Sequence, residues 1–268
     1  MHNARVNTYK LVIEYAGTRY SGWQEQKNAI TIGGELRKAL EQVAGPLADF
    51  GGAGRTDAGV HALAQVAHMK LERTLDVRKF KADVNALLPT AIHVLDVAPA
   101  DARFHARHAA ISRAYTYQIS RRRTAFVKKY VWWVERELDL ESMRKALAAV
   151  VGEHDFVRFC DRPQDQKTTM VRVDRAELAE SGALVLVRFE ASNFLWRMVR
   201  RLVGSLVEVG AHKLAVEDFI ALVAARALPP EKGVVSEWTA PPSGLFLERV
   251  RYPGDPPLGP LTPAFAVA

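Results

Sequence analysis

The sequence predicts an α+β protein of two similar halves, each reading β-α-β-β-α-β, with mostly antiparallel sheets joined about a pseudo-two-fold axis and an active-site cleft between them. Three observations lead there. "RKALEQVAG" (37–45) and "RKALAAVVG" (144–152) are near-copies 107 residues apart, each with apolar residues at helical spacing and a closing glycine suited to a helix C-terminus. Alternating, β-rich stretches flank both copies in the same order. The 268 residues are 49% hydrophobic and 25% charged, ordinary globular composition with enough apolar surface for one large domain or two small ones.

Each element has its own signal. "YKLVIEYAG" (9–17) and "AYTYQIS" (114–120) alternate as half-buried strands ahead of the two helix copies. "AQVAHMKL" (64–71) and "ALVLVRFEA" (183–191) supply the next strands, with an extra one in the second half near Met170 to Glu180. "DVRKFKADVNALL" (76–88) and "NFLWRMVRRLVGSLVEVG" (193–210) read as helices, and "IHVLDVA" (92–98) and "LFLERVRY" (245–252) as closing strands. The expected division is 1–106 for the first half, 107–252 for the second and 253–268 for a tail. That tail, with prolines at 253, 256, 257, 260 and 263, reads as an irregular tether.

Composition narrows the function. Lys and Arg number 37 against 30 Asp and Glu, a net charge of +7 that suits a polyanionic partner, although a merely soluble surface gives the same sum. The single cysteine, Cys160, rules out a disulfide within the chain and a cysteine metal cage. With no long apolar run and no leader core in "MHNARVNTYK", the expectation is a soluble protein of a reducing cytoplasm. The histidines lack metal-ligand spacing, and "GGAGRTDAG" (51–59) lacks both the P-loop ending and the dinucleotide third glycine. Asp57 sits in this glycine-rich turn two residues after Arg55. It is either an ordinary turn aspartate or a carboxylate held for chemistry. The Asp-Thr/Ser-Gly loop of aspartic proteases is excluded, since the hydroxyl residue and a second copy are both missing.

"SRAYTYQISRRRTAFVKKYVWW" (112–133) interleaves aromatic and basic residues, as a surface for phosphates and stacked bases does; a core strand with a solvated rim reads the same way. In "FLWRMVRRLVG" Arg197 and Arg201 share a helix face, while Arg200 points among Trp196, Val199 and Val203. A cation directed there requires a carboxylate, and Asp57 is a candidate.

"AGRTDAGVHALAQVAH" with "IEYAGTRYSGWQEQ" before it, "RFHARHAAISRAYTY", "NFLWRMVRRLVG" and "APPSGLFLERVRY" resemble successive blocks of the bacterial tRNA pseudouridine synthase A family, over nearly the whole chain to Tyr252. In "AITIGGELRKAL" the chain departs from the family, which has Gln where Gly33 stands and an acid where Arg37 stands. The Pro-rich tail also lies outside the family pattern. The resemblance implies isomerisation of uridine to pseudouridine in the anticodon stem-loop of tRNA, without metal or redox cofactor, by a homodimer in the cytoplasm. It implies Asp57 as the nucleophile, Arg200 as the cation favouring its charged form, and Tyr115 as the base-packing residue able to move a proton. Arg55 is then an RNA contact beside the nucleophile, and Arg107 a phosphate or loop ligand. The alternative is a tRNA-binding protein that kept the scaffold without catalysis, which has no need of Asp57.

Overall fold

The computed structural model describes residues 6–161, 168–229 and 234–267, so the start of "MHNARVNTYK" lies outside the described residues. The chain forms two compact units. The first comprises residues 1–111 with 246–255, and the second comprises 112–245 with 256–268. The class is α+β, and the strands of each unit are mostly antiparallel.

In the first unit the elements run β1 (Asn7–Tyr15), α1 (Ile32–Ala44), β2 (Asp49–Gly52), β3 (His61–Leu71), α2 (Val77–Leu87) and β4 (Ile92–Ala100). Strand β1 is central, antiparallel to β3 on one side and to β4 on the other, and β2 pairs with β3. Its alternation is legible in burial: Tyr9, Leu11, Ile13 and Tyr15 all lie in the core. Thr31 caps α1 by accepting from the Gly34 N–H, and Gly45 ends it at φ +82°. Asp76 caps α2 by accepting from the Arg78 and Lys79 N–H groups. The unit is completed by the chain's last strand, β10 (Leu245–Arg251), whose Phe246 and Leu247 run parallel to His61 and Ala62.

The second unit contains β5 (Ser112–Ser120), β6 (Trp132–Trp133), α3 (Leu140–Ala148), β7 (Gly152–Asp155), β8 (Met170–Ser181), β9 (Leu184–Ala191), α4 (Met198–Gly210) and α5 (Val216–Val223). Strand order is β5-β9-β8-β7, with β6 parallel to β5. Every residue of β5 and β9 is buried, so both faces of this pair are covered. Opposed residues share a face, which puts Thr116, Gln118 and Ser120 with Arg188, Leu186 and Leu184, and Tyr115, Tyr117 and Ile119 with Phe189, Val187 and Val185.

The proline-rich segment covers the first of these faces and is not a tether. It is irregular, but the Ala264 N–H donates to Gln118 Oε1 (2.7 Å), Arg188 donates to the Gly259 carbonyl (2.8 Å), and Val267 joins Val131, Leu184 and Leu186 in one apolar cluster. Without a neighbour on that face a fully buried Arg188 would be untenable.

Three local readings change. The glycine of the second helix copy is not its cap: α3 stops at Ala148, and Gly152, at φ +115°, opens β7 instead. Helix α4 begins at Met198, not at Asn193, because Arg197 at φ +62° breaks the helical path. Helix α5 is additional to the elements expected from the sequence, and it carries no capping side chain to mark its start.

Candidate active site

Asp57 lies half-buried in the loop between β2 and β3, and the residues around it are fixed one by one. Thr56 is buried, with Oγ1 2.8 Å from the Tyr15 hydroxyl. Gln65 Nε2 donates to the same hydroxyl at 3.5 Å, so the phenol bridges Gln65 and Thr56. Burial pushes the Tyr15 phenol well above its usual range, against the lowering effect of these two hydrogen bonds, which keeps it a neutral donor. Gln65 also clamps Gly54, donating to its carbonyl (2.8 Å) and accepting from its N–H (3.3 Å).

The segment 17–23 locks the loop through its backbone. The Trp23 N–H donates to the Thr56 carbonyl (3.1 Å), and the Gly59 N–H donates to the Tyr20 carbonyl (3.3 Å). A side chain at Gly22, which sits at φ +87°, would place Cβ 2.5 Å from the Thr56 carbonyl oxygen, and one at Gly17 would overlap the Val60 carbonyl. Gly59 takes φ +80°, and the Val60 N–H closes a turn on the Asp57 carbonyl (3.1 Å). Asp57 therefore keeps a set position while Arg55, two residues before it, is exposed.

Gly33 and Arg37 are each held by close contacts. At Gly33 the N–H donates to the Trp23 carbonyl (3.0 Å), and a Cβ would approach that oxygen to 2.6 Å. Arg37 pairs with Glu25 (2.9 Å) and Glu41 (3.5 Å) and lies over the Phe50 ring, 5.1 Å from its centroid. Arg107, also in this unit, is exposed, and its N–H donates to His105 Nδ1 (3.2 Å).

The second unit carries Tyr115 and Arg200. Tyr115 is 8% exposed on β5, its ring edge-on to Phe194 at 5.1 Å. Two residues on, Tyr117 donates to the Pro241 carbonyl (2.7 Å); burial pushes its phenol up, opposed by the nearby positive charge of Arg200. Arg200 is half-buried, with Nε on the Ala240 carbonyl (2.7 Å) while the Ala240 N–H returns a bond to the Arg200 carbonyl (3.1 Å). One turn later Gly204 lets the Trp238 carbonyl press against α4. The other two arginines share a different carboxylate: Asp161 accepts from Arg201 (2.5 Å) and Arg197 (3.1 Å). Of the three, Arg200 is the one anchored to the Ala240 backbone, next to the Pro241 carbonyl that Tyr117 holds.

A family model described as tRNA pseudouridine synthase matches residues 11–108 and 146–253, more than half of the chain. The chain belongs to the tRNA pseudouridine synthase family. It is 39% identical over 249 residues to "tRNA pseudouridine synthase A" of Maricaulis maris (strain MCS10), covering 92% of this chain and 98% of that protein. It is 38% identical over 249 residues to the protein of the same name from Brucella ovis, covering 91% and 97%. Among solved structures, an H/ACA RNP bound to a substrate RNA containing 2'-deoxyuridine aligns with 75% of this chain and 44% of that chain, at 13% identity and a TM-score of 0.38.

Tyr15, Thr56, Gln65 and Asp161 escape sequence reasoning, because no spacing rule joins residues so far apart. The one available signal is glycine: Gly17 and Gly22 precede the Asp57 loop by more than thirty residues yet mark close backbone approach. Among the described residues no three His, Cys, Asp or Glu side chains gather as a metal site, and no helix is long and apolar enough to cross a membrane.

Proposed function

We propose that this synthase isomerises uridines of the tRNA anticodon stem-loop to pseudouridine, with Asp57 as the nucleophile. The observation that carries the reading is the Asp57 loop, in which Gly54, Thr56 and Gly59 are each tied down while the carboxylate between them stays partly open. A turn needing only an aspartate would not require this support.

The reaction breaks the bond from C1′ to N1 of uracil and forms one from C1′ to C5. The C5 proton is lost and N1 ends protonated, with no net change in composition or oxidation state. An ionised carboxylate can both attack and leave. Addition at C1′, addition at C6 and elimination to a glycal all satisfy that balance. In this reading Arg200 favours the charged form of Asp57, Tyr115 packs on the target base and moves a proton, Arg55 contacts RNA beside the nucleophile, and Arg107 takes a phosphate. The active form is read as a homodimer in a reducing cytoplasm, a compartment that the single cysteine suits; sedimentation with and without tRNA tests the dimer.

The decisive experiment incubates purified protein with unmodified tRNA and maps pseudouridine by carbodiimide. Asp57→Asn keeps size and turn-forming capacity, so turnover should vanish while tRNA affinity stays within about threefold of wild type, since every cation that binds phosphate remains. Appreciable turnover by Asp57→Asn would remove the nucleophile assignment, and product outside the anticodon arm would remove the substrate assignment.

A further inference from the structure

Beyond the reaction residues, the loop joining β5 to β6 holds an exposed aromatic tip with cations on both sides of it along the chain. Phe126 is 96% exposed, while its neighbour Val127 packs inward on the cluster of Val131, Leu184, Leu186 and Val267. Around the tip Arg121, Arg122, Arg123, Lys128 and Lys129 are all exposed. The Arg123 guanidinium lies 5.7 Å from the ring centroid of Trp133, itself 38% exposed.

The loop is anchored at both ends. The Arg121 N–H donates to the Ala183 carbonyl (2.9 Å), the Val134 N–H to the Ser120 carbonyl (3.0 Å), and the Tyr130 N–H to the Val127 carbonyl (2.8 Å). Gln118 Nε2 holds the Tyr130 carbonyl (2.9 Å), and Ser120 Oγ holds the Arg122 carbonyl (2.7 Å). Arg121 is partly neutralised by its pairing with Glu180 (2.8 Å). The platform is therefore built before any ligand arrives.

We propose that this loop is a second tRNA-binding surface, in which an unpaired base of the tRNA stacks on Phe126 and the adjoining phosphates lie on Arg122, Arg123, Lys128 and Lys129. The charge selects a polyanion, and the aromatic face selects one that also offers unstacked bases, which an acidic protein does not. Trp133, already under Arg123, gives the same surface a second ring. The proposal rests on tRNA being the substrate but not on which residue is the nucleophile.

The test uses the full chain, unmodified tRNA, and both equilibrium affinity and steady-state kinetics. Stacking on one base is worth about a five- to hundredfold change in binding, so Phe126→Ala should raise Kd and KM by that factor with kcat at saturating tRNA unchanged. Because every phosphate-binding cation remains, the dependence of log affinity on log salt should keep its slope. Arg122→Ala with Arg123→Ala should instead lower the slope by about one for each phosphate no longer neutralised. Phe126→Trp should bind as well as wild type, and Phe126→Leu, which keeps apolar area without a ring face, should not. Unchanged Kd and KM in Phe126→Ala, or full affinity in Phe126→Leu, would overturn the platform, the first result pointing to a protein occupant. A wild-type protein that forms no pseudouridine at all would count against the proposed function instead, which separates the two failures.

Discussion

Replacing Tyr15 by Phe tests whether the support of the Asp57 loop is there for chemistry or for folding alone. The change deletes one hydroxyl that is buried with Thr56 Oγ1 at 2.8 Å and Gln65 Nε2 at 3.5 Å, and it leaves both partners buried. Gln65 retains its bond to the Gly54 carbonyl (2.8 Å), so one of its donors remains satisfied. Leaving buried polar groups unmade costs about 1–3 kcal/mol, which for a chain of this size lowers Tm by about 2–10 °C. Thr56 then turns more freely beside Asp57, and a displacement on the order of 1 Å at a reacting group costs up to about 100-fold in rate. Tyr15→Phe should therefore show kcat reduced about 10- to 100-fold at a temperature where it is fully folded, with KM for tRNA within about twofold. Thermal melting and single-turnover pseudouridine formation at saturating tRNA measure the two effects. An unchanged Tm and rate would refute the hydrogen-bond argument, and a lowered Tm with an unchanged rate would reduce Tyr15 to a core residue.

In the proposed function Arg200 favours the charged form of Asp57, so Arg200→Ala should lower kcat and move the acid limb of the pH-rate profile to higher pH, while Arg200→Lys should restore the limb; an acid limb unmoved in Arg200→Ala would remove Arg200 from that role. Truncation before Leu258 takes the Ala264 N–H from Gln118 and the Gly259 carbonyl from Arg188 and removes two buried side chains, Leu258 and Val267. At about 1.5–3 kcal/mol for each apolar side chain, urea denaturation should show a stability lower by at least about 3 kcal/mol, and equal stability would make the segment a tether after all. The phenols of Tyr15 and Tyr117 are both raised by burial, so above pH 10 the unfolded chain releases protons that the folded chain keeps. Stability should be insensitive to these groups below that pH and fall above it by roughly 1 kcal/mol per pH unit for each; Tyr117→Phe should remove one share of the slope in alkaline urea titrations.

The amino-acid sequence by itself determined the elements whose cause is local. Strand β1 alternates because one face is core, α1 ends at Gly45 because only glycine adopts φ +82° without strain, and α2 begins after Asp76 because that carboxylate caps the next N–H groups. Its motifs also named the family, since the order of "AGRTDAGVHALAQVAH", "RFHARHAAISRAYTY" and "NFLWRMVRRLVG" needs no coordinates to be read. Tertiary structure decided what depends on groups distant along the chain. Arg197 takes a left-handed conformation while sharing Asp161 with Arg201, which starts α4 later than its apolar pattern suggests. The tail looks like a linker until Arg188 and Gln118 are found with their partners in it. Tyr15 and Gln65 become supports of Asp57 only when β1 and β3 are paired, because the pairing of two strands, and no property of either one, brings a phenol, an amide and the Thr56 hydroxyl within hydrogen-bonding distance.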